Sequence, residues 1–288
     1  GQPVVYYGDE QGFVGSVGDG KDKNARQSLF DSQVPEFRDQ ALLDGSSGAG
    51  DHYGTDAPLY THIAELAALR TAYPALSDGA QIEQHVASGA GVYAFSRVDT
   101  EASDPAEILV AVNNATTEST VELTALTTDA AFAPLYGTTA PVSSGADGTV
   151  SVTVPALSAV VYEAQAPLTA DAAPVAAAFT TPTLGQGLAG LQEISVELGT
   201  ERYAETTLSY RVAGAQDWEL LGTVDDGSPR VYQDVSALAP GTVVEYRAVV
   251  RDADDRLTQT VVTASIGDDH GTGTPVVVDP SDRLTVPG

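Results

Sequence analysis

The chain has 288 residues, 42% of them hydrophobic, and 13 basic against 40 acidic side chains leave a net charge of −27. Such a surface repels phosphate backbones and anionic membranes, so nucleic acid and lipid are excluded as main partners, whereas neutral ligands such as sugars are unaffected. No Cys occurs, which removes disulfides, thiolate-bound zinc and thiol nucleophiles, and no apolar run reaches the ~20 residues of a membrane span.

The length suits two domains or more. The opening, GQPVVYYGDEQGF, predicts a buried strand over residues 1–8, because Val4 and Val5 suit a parallel sheet covered on both faces. That strand would end in Tyr6, Tyr7, Asp9 and Glu10, residues able to stack on a ligand or exchange protons. Gly1 is no natural start and Met is absent from the chain, so it reads as a piece of a longer protein whose upstream segment has been lost. Residues 14–55 are rich in Gly, Asp, Ser and Lys and predict a long loop. Within it GDGKDKN, Gly18 to Asn24, has the oxygen density of a calcium loop. It lacks the bidentate Glu and carries two lysines, so a solvated loop is the expectation and no metal site is assigned.

A helix follows. Leu59, Ile63, Leu66, Leu69 and Tyr73 form one apolar stripe at helical spacing, with Asp56 as N-cap, Pro58 in the first turn and Pro74 as the stop. Beyond Gly79 the period switches to two. GVYAFSRV, EILVAVNN, STVELTAL, FAPLY, TVSVTVP and AVVYEA predict an antiparallel β-sandwich over residues 79–165. An Ala, Pro and Thr-rich linker, APLTADAAPVAAAFTTPTLG, leads into a second all-β unit, so that residues 166–267 are linker plus module. Its strands are EISVEL, TTLSYRV, WELLGTV, RVYQDV, TVVEYRAVVRD and TQTVVTAS, with Val244, Tyr246, Ala248 and Val250 facing inward. Trp218 reads as part of its core, with a sugar platform as the alternative. Residues 268–288 read as a linker to a further module.

Four of these segments, in order, resemble the α-amylase superfamily, glycoside hydrolase family 13. GQPVVYYGDEQGF is similar to its eighth-strand segment, Gly-x-Pro-x-x-Tyr-Tyr-Gly-(Asp/Glu)-Glu. LYTHIAELAALRTAYPAL is similar to its last barrel helix, through Leu66, Leu69, Arg70, Pro74, Ala75 and Leu76. RQSLFDSQVPEF resembles a segment of multi-domain bacterial starch- and pullulan-degrading enzymes. GVYAFSRV, ILVAVNNAT and VTVPALSAVVYEA follow the order of the family's closing β-sandwich. The second unit resembles fibronectin type III or related immunoglobulin-like modules through Leu238-Ala-Pro240-Gly241-Thr242 ahead of Tyr246, which lies farther past the Thr than the common spacing.

The resemblance implies a mainly β chain: the last βα unit of a (β/α)8 barrel over residues 1–78, an antiparallel sandwich, then an immunoglobulin-like or fibronectin III-like sandwich. It implies the C-terminal part of a secreted bacterial enzyme hydrolysing α-1,4 or α-1,6 glucosidic bonds of starch, pullulan or maltooligosaccharides with retention. Retention needs two carboxyl groups about 5 Å apart. The family's catalytic carboxylates lie on strands four, five and seven, upstream of Gly1, so the 288-residue chain alone is expected to be inactive. Tyr6, Tyr7, Asp9 and Glu10 are expected either to anchor the loop or to line the rim of the barrel site, since a barrel strand's carboxyl end faces the active site. No cofactor is expected in this segment; calcium is a candidate for the complete enzyme. The expected partner is an α-glucan, and the expected state a monomer. The alternative is a non-catalytic carbohydrate-binding or spacer protein. His52, His62, His85 and His270 are too scattered for a ligand set and read as surface or helix residues. Asp225-Asp226-Gly227 and Asp252 to Asp255 read as turns.

Overall fold

The computed structural model describes residues 3–13, 26–99, 102, 105–199, 203–225 and 228–267. The chain divides into two compact units, Gly1–Asp78 and Gly79–Gly288. Residues 18–24 of the calcium-like loop, His270 and the segment 268–288 lie outside the described residues.

In the first unit the strand expected over residues 1–8 does not form in the described part, residues 3–8. Residues 3–6 carry no regular structure, Val4 is 87% exposed, and a 3-10 turn, Asp9–Gln11, follows. The physical reason is local. Asp9 and Glu10 fold their carboxylates back onto the backbone N–H groups of Tyr6 and Gly8, both at 2.9 Å, and so build a turn where a strand would need a partner strand's carbonyls. The long loop is partly ordered by a short helix, α1 (Pro35–Arg38), and an isolated bridge between Ala41 and Ser47. Helix α2 spans Pro58–Ala72. Leu59, Ile63, Leu66, Leu69 and Arg70 are half-buried, as is Tyr73 at the C-cap, and the other residues of the helix are exposed. The N-cap is Ala57 rather than Asp56 and has no side-chain hydrogen bond; Pro58 occupies the first helical position, where its missing N–H costs nothing. A single turn, α3 (Ala75–Asp78), closes the unit.

The second unit is mainly β. Strands β1 (Ala80–Val86), β2 (Val92–Val98), β3 (Ala106–Asn113), β8 (Ser158–Pro167), β5 (Ala131–Tyr136) and β6 (Val142–Ser143) form one antiparallel sheet in that order. A two-stranded sheet of β4 (Ser119–Thr124) and β7 (Thr149–Val154) closes the first sandwich. Phe132, Leu109, Val152, Val160 and Tyr162 lie at the centre of its core. Asn113 stitches its end: its amide donates to the carbonyls of Thr117, Val154 and Pro155 and its oxygen accepts from Ala115 N–H.

The second sandwich pairs a three-stranded sheet, β14 (Arg230–Asp234), β11 (Leu191–Leu198) and β9 (Ala177–Thr181), with a five-stranded one. The latter runs β10 (Gly187–Leu188), β16 (Leu257–Ile266), β15 (Val243–Asp252), β12 (Ala204–Val212) and β13 (Glu219–Val224). Val244, Tyr246, Ala248 and Val250 are all fully buried, as alternation requires. The Tyr246 hydroxyl donates to Gln233 Oε1 at 2.8 Å, joining the two sheets across the core. The expected linker is shorter than its composition suggested, because Ala177–Thr181 is a strand of the three-stranded sheet.

The two sandwiches meet over a small shared core. Tyr203 packs with Ala80, Ile82, Val98 and Leu126 of the first sandwich. The connecting segment is tied to the second sandwich, where Arg256 donates to the carbonyls of Asp171 and Ala173 and Thr258 to the carbonyl of Val175.

Candidate functional site

The opening segment brings Tyr6, Tyr7, Asp9 and Glu10 together on one turn. Gly8 makes the turn possible, with φ at +92° and a Cβ position only 2.1 Å from the Phe13 ring, so no other residue fits without strain. The tyrosine rings lie 4.6 Å apart, tilted by 45°, and both are more than 40% exposed. The Tyr7 phenol titrates above its ordinary range because of desolvation and the adjoining Tyr6. The segment is held by Gln11, which donates to the carbonyl of Gly54 at 2.9 Å, and by Leu43 N–H, which donates to the carbonyl of Gly12 at 3.2 Å. Phe13 meets His52 edge-on at 5.5 Å. His52 is therefore no surface or helix residue: it is buried, outside any helix, with an Nε2 that has no hydrogen bond among the described residues.

This turn can offer two exposed phenol rings, but its carboxylates already serve as backbone acceptors. Asp9 and Glu10 are consecutive in the 3-10 turn and each is spent on an N–H of its own loop. No cluster of three or more metal-ligating side chains occurs among the described residues, and no helix there is long and apolar enough to cross a membrane.

Trp218 is not in the core of the second sandwich. It is half-buried just before β13, with the guanidinium groups of Arg211 and Arg247 over its ring at 4.4 and 4.5 Å. A sugar stacking there would compete with two cation–π contacts. Asp252 does act as a turn residue: its carboxylate accepts from the N–H groups of Asp254 and Arg256 and from Arg256 Nε.

Two features were missed by sequence reasoning. Glu107 is a fully buried carboxylate on β3 that accepts hydrogen bonds from Ser96 Oγ, Leu126 N–H and Thr127 N–H. Burial pushes its carboxyl up, against the pull of those three donors. Its signal was a lone acid opening the apolar run EILVAV. The other is a cleft of about 900 Å³ between the sandwiches, which no local pattern announces because its walls are about a hundred residues apart in sequence.

No family model matches the chain. Over 258 residues, 89% of its length, it is 43% identical to an α-amylase of Streptomyces lividans. The chain is similar to an α-amylase. It spans 27% of that α-amylase's length. Solved structures with some likeness include an Anoxybacillus α-amylase, at 22% identity and a TM-score of 0.35 over 45% of this chain and 27% of that one. Another is AmyP in complex with maltotriose, at 22% identity and a TM-score of 0.33 over 43% of this chain and 24% of that one. Similarity at that level carries no detail over to this chain.

Proposed function

We propose that this chain is the C-terminal part of a secreted α-amylase-type glycoside hydrolase that cleaves α-glucosidic bonds with retention. The observation that carries the reading is the 43% identity to the Streptomyces lividans α-amylase across 258 residues. The order of motifs from GQPVVYYGDEQGF through the first sandwich supports it. In this reading residues 1–78 complete a barrel and residues 79–165 are its closing sandwich. Residues 166–267 carry a fibronectin III-like module, for which the three-stranded sheet facing a larger one speaks. The acid/base and nucleophile lie outside this chain, because Asp9 and Glu10 are tied to their own backbone and adjoin each other on one turn, whereas retention needs two carboxyl groups flanking one bond. Tyr6 and Tyr7 form the rim, where an exposed ring can stack on a glucose face.

The test compares the 288-residue chain with the longer protein that includes its neighbouring polypeptide, on starch, pullulan and an activated α-glucoside. Turnover with retention is expected from the longer protein and none from the chain alone. Tyr6→Ala in the longer protein should raise KM with little change in kcat, the mark of lost binding. Turnover by the isolated chain that disappears in Asp9→Asn or Glu10→Gln would overturn the assignment.

A further inference from the structure

The cleft between the two sandwiches is built from side chains that recognise hydroxyl groups. Its volume, about 900 Å³, lies within the range of ligand sites. One wall is β1, which presents Glu83 and Gln84; the other is the outer face of the three-stranded sheet, with Glu193, Ser195 and Glu197 on β11 and Arg230 on β14. Ser195 Oγ sits in a hydroxyl cluster, 2.8 Å from both Thr180 Oγ1 and Thr181 Oγ1. Tyr232 lies beside the lining rather than in it: as the register partner of Glu193 it is 59% exposed and donates its hydroxyl to that carboxylate at 3.0 Å.

The bonding state of these groups decides what they can take. Glu83 and Glu197 accept no hydrogen bond among the described residues, and Arg230 makes no ion pair there, although the chain carries −27. Exposed carboxylates accept pairs of vicinal hydroxyls; a guanidinium and an amide donate to ring and hydroxyl oxygens; an exposed phenol ring offers a face for the C–H side of a pyranose. An anionic ligand would meet the four carboxylates of Glu83, Glu193, Glu197 and Asp225 against one guanidinium. The shared core around Tyr203 fixes the spacing of the two walls, so the site is formed before any ligand arrives.

We propose that this cleft is a non-catalytic binding site for a neutral oligosaccharide, with Glu193, Arg230 and Tyr232 as its recognition residues. That the sugar is an α-glucan rests on the proposed function; that the cleft takes a neutral oligosaccharide does not.

The experiment titrates the isotopically labelled 288-residue chain with maltoheptaose, cellohexaose, xylohexaose and spermine, each to roughly 10 mM, the regime of weak single-module binding. Saturable amide shifts on β1, β11 and β14 with maltoheptaose are expected. Glu193→Gln, Arg230→Ala and Tyr232→Ala, all at exposed positions, should each weaken binding about tenfold while leaving the remaining spectrum in place. Shifts with cellohexaose or xylohexaose but not maltoheptaose would uphold the cleft and count against the α-glucan reading. Shifts confined to the Tyr6–Tyr7 turn or to Trp218, shifts with spermine alone, or none with any sugar would overturn the proposal. Because the readout is binding, it stands apart from whether the longer protein turns over starch.

Discussion

Truncating Tyr203 should uncouple the two sandwiches. Tyr203 is only 7% exposed and is the second sandwich's buried side chain in a core shared with Ala80, Ile82, Val98 and Leu126, against which Leu168 and Ala253 pack. A buried aromatic removes roughly 200 Å² from water, which at ~25 cal/mol per Å² is about 5 kcal/mol as an upper figure. Measured aromatic-to-alanine changes in cores cost about 3–5 kcal/mol. Spread over a unit of this size, that is a fall in Tm of roughly 6–20 °C. The loss falls on the interface, since neither sandwich's own core contains Tyr203. Trp218 is the sole tryptophan and belongs to the second sandwich, so its fluorescence follows that sandwich while far-UV circular dichroism follows both. In the wild type the two melting curves should coincide; in Tyr203→Ala they should separate. Tyr203→Phe isolates the hydroxyl, which makes no hydrogen bond among the described residues, and should stay within about 0.5 kcal/mol of wild type. A Tyr203→Ala protein that still melts in one step within about 2 °C of wild type would refute the idea that this contact couples the sandwiches.

Two further outcomes follow from buried or strained positions. Burial raises the Glu107 carboxyl, so the folded state holds its proton to higher pH than the unfolded chain does. The resulting stability is complete below the ordinary carboxylate pKa and is lost as pH rises through the raised value. Urea midpoints of the wild type should therefore fall across that window while those of Glu107→Gln stay flat, offset at low pH by about 1–3 kcal/mol because its NH2 confronts the Thr127 N–H; parallel curves would contradict this. Gly8→Ala should cost the first unit about 1–3 kcal/mol through its +92° φ alone, and more through the Phe13 ring. The effect should appear as faster proteolysis within residues 3–13, with Gly50→Ala, whose Cβ meets nothing within 4 Å, as the silent control.

What was legible in the sequence was what alternation alone encodes. From Tyr246 to Val250 the strand alternates fully buried residues with half-buried ones, although the charged Glu245 before it is also buried, and the apolar stripe of α2 names half-buried positions. What failed did so where partners decide. Val4 and Val5 have the β-branched chemistry of a strand, yet strand structure needs a neighbour's N–H and C=O groups, and the adjoining acids supplied a turn instead. Strand β9, AAFTT, escaped notice because its two alanines carry little β signal and Pro182 follows directly. Strand β1, AQIEQHV, has too few apolar residues to alternate, since part of it faces the cleft. Trp218 was assigned to the core by its type; the guanidinium groups over its ring come from β12 and β15, and Arg247 on β15 is brought there only by the pairing of β15 with β12.

The same limit governs how the acidic residues divide, and that division decides which of them can meet a ligand. Composition counts 40 equivalent carboxyl side chains. Geometry separates them by what their oxygens already accept. Asp9 and Glu10 hold a turn, Glu107 holds the backbone of residues 126 and 127, and Asp252 closes a hairpin with Arg256. Recruiting any of these to a substrate would leave a backbone N–H unpaired, a cost of about 1–3 kcal/mol where it is buried. Among the described residues Glu83 and Glu197 carry no such obligation, and Glu193 is engaged only by an exposed tyrosine hydroxyl that a sugar hydroxyl can replace one for one. A ligand therefore meets the smallest competing interaction in the cleft between the sandwiches and a larger one at the opening turn. For that turn the tyrosine rings, rather than the acids beside them, are the groups left free to bind.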